Sequence, residues 1–257
     1  MTVRRAAISL CAMVAVSSLC LAQRTSQAPG KAPPAPTLDQ ILDHYDAALG
    51  GREAWDKLTS RIMKATMVFS PSGQEATVEV YQQFPNKYLN VTVLPPQHRI
   101  EIGFNGEVAW SKDSAQGVRR LSGLELDMIK HTAIFNEEIK LREAFPNMES
   151  LGLRRINGRT SYVVRATTAE GYTGTMYFDA ESGLRVRVTS TTASGQTYDD
   201  YIEDYCDLRD VGIKYPCRRR EVYPTYTITE RCTEIRYNVP IDPSLFVPPS
   251  FEYKIQR

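Results

Sequence analysis

The chain is poor in the residues that do most catalytic and metal chemistry. It has three histidines in 257 residues, His44, His98 and His131, and each falls in a different expected element. A lone histidine is ordinarily a surface or cap residue. The signatures G-x-S-x-G, H-E-x-x-H, G-x-x-x-x-G-K-[ST], C-x-x-C and G-x-G-x-x-G are all missing. No excess of either charge is present, with 31 Lys+Arg against 30 Asp+Glu, which argues against a nucleic-acid binder with a basic face. No apolar run after residue 22 is long enough to cross a bilayer. Strands and helices do not alternate, so a doubly wound fold is not expected. No enzyme, cofactor or metal is expected from these absences.

The composition that remains is that of a globular protein, 42% apolar and 24% charged. The first residues stand apart. Arg4 and Arg5 precede the apolar run Ala6 to Val16, and Cys20 and Ala22 occupy the −3 and −1 positions of a small-residue cleavage site. Residues 1–22 therefore read as a signal peptide, and the product as soluble and periplasmic. Neither Cys11 nor Cys20 follows a small residue, so both sites look wrong for lipid attachment. Residues 23–36 hold four prolines and no large apolar side chain, the composition of a tether.

Order begins at Thr37, with Gln40 at the capping-box spacing. Ile41, Leu42, Tyr45, Ala48 and Leu49 recur at helical spacing up to Gly50-Gly51, and a second short helix is expected over 52–58. From Ser60 the period changes to two. Strands separated by turn residues run to Trp110, resume near Leu151 and end in three long strands over 197–208, 213–223 and 226–238. Between them, residues 121–145 space their apolar side chains closer to helical than to alternating period. The expected domain spans 37–250, with 251–257 as a tail. It is mainly β (α+β), a single curled antiparallel sheet of about 11–12 strands, an unclosed barrel with helices over its concave face.

Three cysteines follow the leader, so at most one bridge forms within the chain. If Val211-Gly212 is a two-residue turn, Cys206 faces Cys217, Asp204 faces Arg219 and Glu203 faces Arg220. If Pro224-Thr225 is the next turn, Cys217 faces Cys232. Either Cys206–Cys217 or Cys217–Cys232 can close, and a three-thiolate metal site is the sharper alternative. The acidic run from Asp199 to Asp210 fits no calcium loop and is better explained by cross-strand ion pairs with Arg218-Arg219-Arg220.

The positive signal is apolar and diffuse. Met63, Met67, Leu89, Val91, Ile102, Phe104 and Trp110 alternate along the first strands, and Val164, Met176, Phe178 and Val186 along later ones. Met128, Ile129, Ile134, Phe135 and Ile139 line the helical insertion. These residues are either an ordinary core or the wall of an adaptable apolar cavity under a movable lid.

Four segments carry a family likeness: Tyr45-Asp46-Ala47-Ala48-Leu49-Gly50-Gly51, Gly103 to Trp110, Tyr177 to Leu184, and Asn238 to Phe246. Together, over roughly residues 37–249, they resemble the LolA/LolB lipoprotein-carrier superfamily, closest to exported members named outer membrane lipoprotein-sorting proteins. The resemblance implies an unclosed antiparallel barrel with helices at its mouth. It implies a cavity that receives acyl chains of lipoproteins or other lipids without covalent chemistry. Membrane-bound donor and acceptor proteins, a monomeric state and no nucleic-acid partner go with that reading. Two other classes remain open: an interaction module with a filled interior, and a hydrolase at the rim using His98 or His131 with nearby carboxylates.

Overall fold

A computed structural model describes residues 35–251 apart from Asn157. The expected leader, residues 23–34 of the tether and the last six residues of the tail lie outside the described residues. The capping box forms as read: Thr37 Oγ accepts from the Gln40 amide, and Gln40 Oε1 accepts from the Thr37 amide at 2.9 Å. It opens α1 (Leu38–Ala48), whose Ile41, Leu42 and Tyr45 are buried. The helix stops at Gly50, whose φ of +103° suits glycine. A Cβ there would lie 2.3 Å from the Gly212 carbonyl oxygen. The bare backbone lets the helix end dock on a later hairpin, where the Lys214 amide donates to the Leu49 carbonyl at 2.9 Å. A short α2 (Arg52–Asp56) follows and buries Trp55.

Thirteen strands follow among the described residues. β1 (Ser60–Ser70), β2 (Gln74–Gln83), β3 (Lys87–Leu94), β4 (His98–Phe104), β5 (Ala109–Asp113) and β6 (Gly117–Arg120) precede the insertion. β7 (Asn147–Ile156), β8 (Arg159–Thr167), β9 (Thr173–Asp179), β10 (Arg185–Thr191), β11 (Thr197–Leu208), β12 (Ile213–Val222) and β13 (Thr227–Tyr237) come after it. They form one antiparallel sheet in the order β6-β5-β4-β3-β2-β1-β13-β12-β11-β10-β9-β8-β7. The first and last strands pair at the centre, and the two edges are β6 and β7. The sheet is curled and not closed into a barrel. Its edge strands are consecutive in sequence, so the chain between them has to bridge the open side.

That bridge is the insertion: α3 (Gly123–Thr132), a 3₁₀ turn at Glu137–Ile139 and α4 (Leu141–Ala144). The main core unites both halves of the sheet with the helices and the insertion, from Leu42, Leu49 and Trp55 through Val78 and Phe104 to Phe135, Val164 and Phe178. Burying this apolar surface is the main driving term. A second, smaller core lies under a 3₁₀ turn at Pro243–Phe246 and contains Leu89, Val91, Trp110, Ile241 and Phe246.

The final hairpins differ from the expected register in one place. β12 and β13 pair as read, Arg218 opposite Arg231 and Val222 opposite Thr227. β11 and β12 do not. Leu208 faces Ile213 across a four-residue connection, and Ile202 faces Arg219. The turn has two more residues than a Val211-Gly212 hairpin, so every partner moves by two. An irregularity at Ile202–Tyr205 displaces Asp204 alone, to Arg218, and the same register resumes beyond it.

Candidate functional site

The inner face of the sheet is less apolar than its strand patterns suggest. On β1, Met63 and Ala65 are buried and share their row with Arg61. On β2 the buried row Ala76, Val78 and Val80 ends in Gln82. Along β12, Ile213, Tyr215 and Cys217 lead to Arg219. Two cavities lie between this face and the insertion, and they share His131, Thr132, Glu137 and Arg219 as wall residues. One, of about 260 Å³, is bounded by Arg61, Gln82 and Glu138 as well as Met63, Val80 and Ile134. The other, of about 200 Å³, has Met128, Phe145, Met176 and Val188 facing Arg185 and Arg219.

Side-chain contacts clamp the far end of the insertion to the sheet and first helices. Arg61 Nη1 donates to Glu138 Oε1 at 2.9 Å and to the Tyr237 hydroxyl at 3.3 Å, while its Nη2 bonds Gln82 Oε1. Gln82 Nε2 in turn donates to the Thr132 carbonyl at 3.1 Å. Asn136 Nδ2 donates to the Trp55 carbonyl at 3.1 Å. Arg142 reaches Asp46 at 3.0 Å and Asp43 at 2.6 Å on α1. By contrast, α3 has no buried residue, and an exposed Arg119–Glu125 pair holds its first turn. The covering segment is therefore tight at one end and loose at the other.

Charge around the cavities is only partly paired. Burial raises the Glu138 carboxyl, but the Arg61 charge and hydrogen bond outweigh it and leave the pKa lowered. Arg219 grips Asp200 through Nε at 3.1 Å and through Nη2. Two further carboxylates, Glu221 and Glu230, share that one guanidinium. Burial first, and then like charge, holds both above the usual carboxylate range despite Arg219. Arg185 is 9% exposed and lacks such a partner: its Nη1 meets the Met176 sulfur at 4.0 Å, and Glu137 Oε1 stands 3.9 Å away.

The structure sorts the residues read as a lipid-binding wall into four groups. Met63, Ile134, Met128 and Met176 line the two cavities. Phe104, Phe135, Val164 and Phe178 are close-packed core, none more than 3% exposed. Met67, Ile102 and Ile129 are partly buried against that core, and Ile102 and Ile129 bound a small surface pocket with Met128. Leu89, Val91 and Trp110 belong to the second core, which corrects their assignment to the cavity. On β3 it is Tyr88 and Asn90 that line the cavity. Gly103 sits directly opposite Trp110, and a Cβ there would come within 2.3 Å of the indole. The indole therefore lies over the bare glycine.

The polar groups read from sequence are also placed. The Cys206–Cys217 bridge forms, with Cα atoms 5.7 Å apart, although Cys206 pairs with Tyr215 in the ladder. Cys232 is free and its thiol donates to the Glu234 carbonyl at 3.4 Å. The expected Glu203–Arg220 pair is present at 2.7 Å, but Arg219 takes Asp200 instead of Asp204, because of the longer turn. Among the described residues no group of three His, Cys, Asp or Glu side chains could hold a metal. His98 meets Asp113 at 2.9 Å, where the same carboxylate oxygen also accepts the Ala115 and Gln116 amides. That pair fixes a turn away from both cavities. Arg61, Gln82, Glu138, Arg185 and Arg219 were missed. Arg61, Gln82 and Arg219 carried a signal as polar residues at the end of otherwise apolar alternating rows, whereas Glu138 in its 3₁₀ turn and Arg185 in a polar row carried none.

No protein-family model and no curated protein matches the sequence. Solved structures do match. A DUF1329 family protein from Desulfovibrio piger aligns over 81% of this chain and 96% of its own, with a TM-score of 0.58 and 13% identity. A LolA superfamily protein from Nitrosomonas europaea aligns over 83% and 98%, with a TM-score of 0.53 and 15% identity. The chain has the LolA-like fold. A putative outer membrane lipoprotein-sorting protein domain from Vibrio parahaemolyticus shares it at a TM-score of 0.54 and 10% identity, over 80% of this chain and 95% of its own. The LolA-like fold accounts for the curled sheet and for the helical segment across its open side.

Proposed function

We propose that this protein is an exported, non-catalytic carrier that holds a lipid or a lipoprotein acyl chain between the concave face of its sheet and α3. The observation that carries the reading is the enclosure. The segment joining the two edge strands roofs two adjoining cavities, and the half of it that carries Met128 is loosely held. Each buried CH₂ of a chain would contribute about 0.8 kcal/mol, offset by the work of opening α3. The likeness to a solved lipoprotein-sorting domain supports the reading, as does a disulfide, which suits an oxidising compartment. Residues 1–22 are proposed as its export signal.

A second reading has an observation of its own. Phe104, Phe135, Val164 and Phe178 fill much of the interior completely, as in a module that presents only its surface. One experiment separates the two. The protein from residue 23 onward is purified from a periplasm, stripped, and offered phospholipid and acylated peptide under native mass spectrometry. An exchangeable bound lipid is the expected result. A protein that arrives empty and ignores both would sink the carrier reading in favour of the filled module.

A further inference from the structure

Three arginines line these cavities, and two of them hold a carboxylate within hydrogen-bond distance, although the Nε of Arg61 is left without a partner. Arg61 holds Glu138 at 2.9 Å, and Arg219 grips Asp200 with two nitrogens. Arg185, at the start of β10, is different. It lines the 200 Å³ cavity and is 9% exposed. Its Nε has no hydrogen-bond partner among the described residues, and its Nη1 has a thioether sulfur at 4.0 Å. The nearest carboxylate oxygen, on Glu137, stands at 3.9 Å, beyond hydrogen-bond reach. A guanidinium offers five N–H donors in a planar fork shaped for a carboxylate or phosphate, and buried donors are almost always satisfied. The same cavity wall carries apolar groups, Met128 from α3, Phe145 after α4, Met176 from β9 and Val188 from β10, beside polar ones that include Asp127, Thr168, Ser190 and Asp200.

A buried cation with an unused donor, set beside apolar side chains in a mixed wall, is the complement of an acidic amphiphile. We infer that Arg185 is the receptor for the anionic group, carboxylate or phosphate, of the molecule that occupies this cavity. The apolar part of that molecule would lie against Met128, Phe145 and Met176. Glu137 is then the competitor: an incoming anion takes the guanidinium from a carboxylate on the covering segment. This inference rests on the carrier reading and names its ligand class.

The test compares oleate with methyl oleate, which shares the chain and lacks the charge. Inorganic phosphate and acetate serve as free anions. Binding is followed by displacement of a neutral lipophilic dye and by native mass spectrometry, on wild type, Arg185→Gln, Arg185→Lys and Glu137→Gln. Oleate is expected to bind wild type about tenfold to a hundredfold more tightly than the ester, the value of hydrogen bonds to a charged group. Arg185→Gln should erase that preference and leave ester binding unchanged, while Arg185→Lys keeps part of it. Glu137→Gln, which retains the arginine, should strengthen oleate binding. It serves as the test if Arg185→Gln does not fold.

Equal binding of acid and ester by wild type would overturn the inference while leaving the carrier reading in place. Binding of neither would overturn both. Free phosphate or acetate that binds as tightly as oleate, and is lost in Arg185→Gln, would support the anion receptor but assign it to a small ion instead of a lipid head.

Discussion

Arg61 and Glu138 form a buried ion pair at 2.9 Å that joins the centre of the sheet to the segment across its open side. Arg61 also bonds Gln82 and the Tyr237 hydroxyl, its Nε is left without a partner, and the Tyr215 ring lies 4.9 Å beneath the guanidinium. A pair this deep gains little over an apolar replacement, but breaking it leaves one charge stranded. Its place in the fold gives it a second consequence, because it anchors the cover at one end while α3 stays loose.

Glu138→Ala is accordingly expected to destabilise the protein by about 3–5 kcal/mol, read from denaturant midpoints. Glu138→Gln, which keeps a polar partner for Arg61, should cost less. The carboxyl has a lowered pKa in the fold, so the wild-type advantage over Glu138→Gln is present above the ordinary value of 4.5 and fades as pH falls through the lower folded value. An advantage that stays constant between pH 7 and pH 3 would remove the ion pair from the account.

Glu230 has the opposite sign. It faces Arg219 across the β12–β13 ladder, but that guanidinium is already committed to Asp200. Burial and the charges of Glu221 and Asp200 raise its carboxyl above 4.5 in spite of Arg219. Its contribution is therefore greatest below pH 4.5 and is lost as pH rises through the folded value. Glu230→Gln should gain stability relative to wild type as pH is raised from 4 to 8. Melting temperatures across that range check the sign, and a gain that appears only toward acid pH would contradict it.

The disulfide makes a third prediction. Cys206 and Cys217 are 11 residues apart and staple β11 to β12 beside the bulge. Closing a loop of that size restricts the unfolded chain by about 3 kcal/mol. Reduction, or replacement of both cysteines by serine, should lower stability by about that amount. Cys232→Ser should change little, since that thiol makes one weak contact to a carbonyl. Denaturant curves with and without reductant distinguish the two.

Much of this fold could be read from alternation and turn chemistry. The capping box at Thr37 and Gln40, the break at Gly50-Gly51 and the Pro224-Thr225 turn are local rules obeyed locally. β6 escaped notice because its four residues are all exposed and carry no apolar period. The face of β3 was misjudged for a related reason. Both faces of that strand are covered, so Tyr88 and Asn90 turn to the cavity while Leu89 and Val91 serve the second core. Period two tells that residues alternate and leaves open which row faces which core. The site was harder still, because Arg185 and Glu137 are neighbours only through the crossing of the open side, a non-local fact. Alternation nonetheless marked Arg61 and Gln82, each a polar residue in an inward row.

The last prediction separates wall from core. Met128 and Phe104 looked alike in sequence as members of one apolar set. In the structure Met128 is half-buried on loosely held α3 and faces the 200 Å³ cavity, whereas Phe104 is 3% exposed in the main core. Phe104→Ala should therefore cost about 3–5 kcal/mol, with any loss of lipid binding explained by unfolding. Met128→Lys should leave the melting temperature within a few degrees of wild type. It should nevertheless weaken lipid binding about tenfold, since it places a strongly hydrated charge where an acyl chain would pass. Binding is measured by lipid titration at a temperature where both variants are folded. If Met128→Lys bound lipid as well as wild type, α3 would not be the gate of the cavity, and entry would have to be sought along the edge strands β6 and β7.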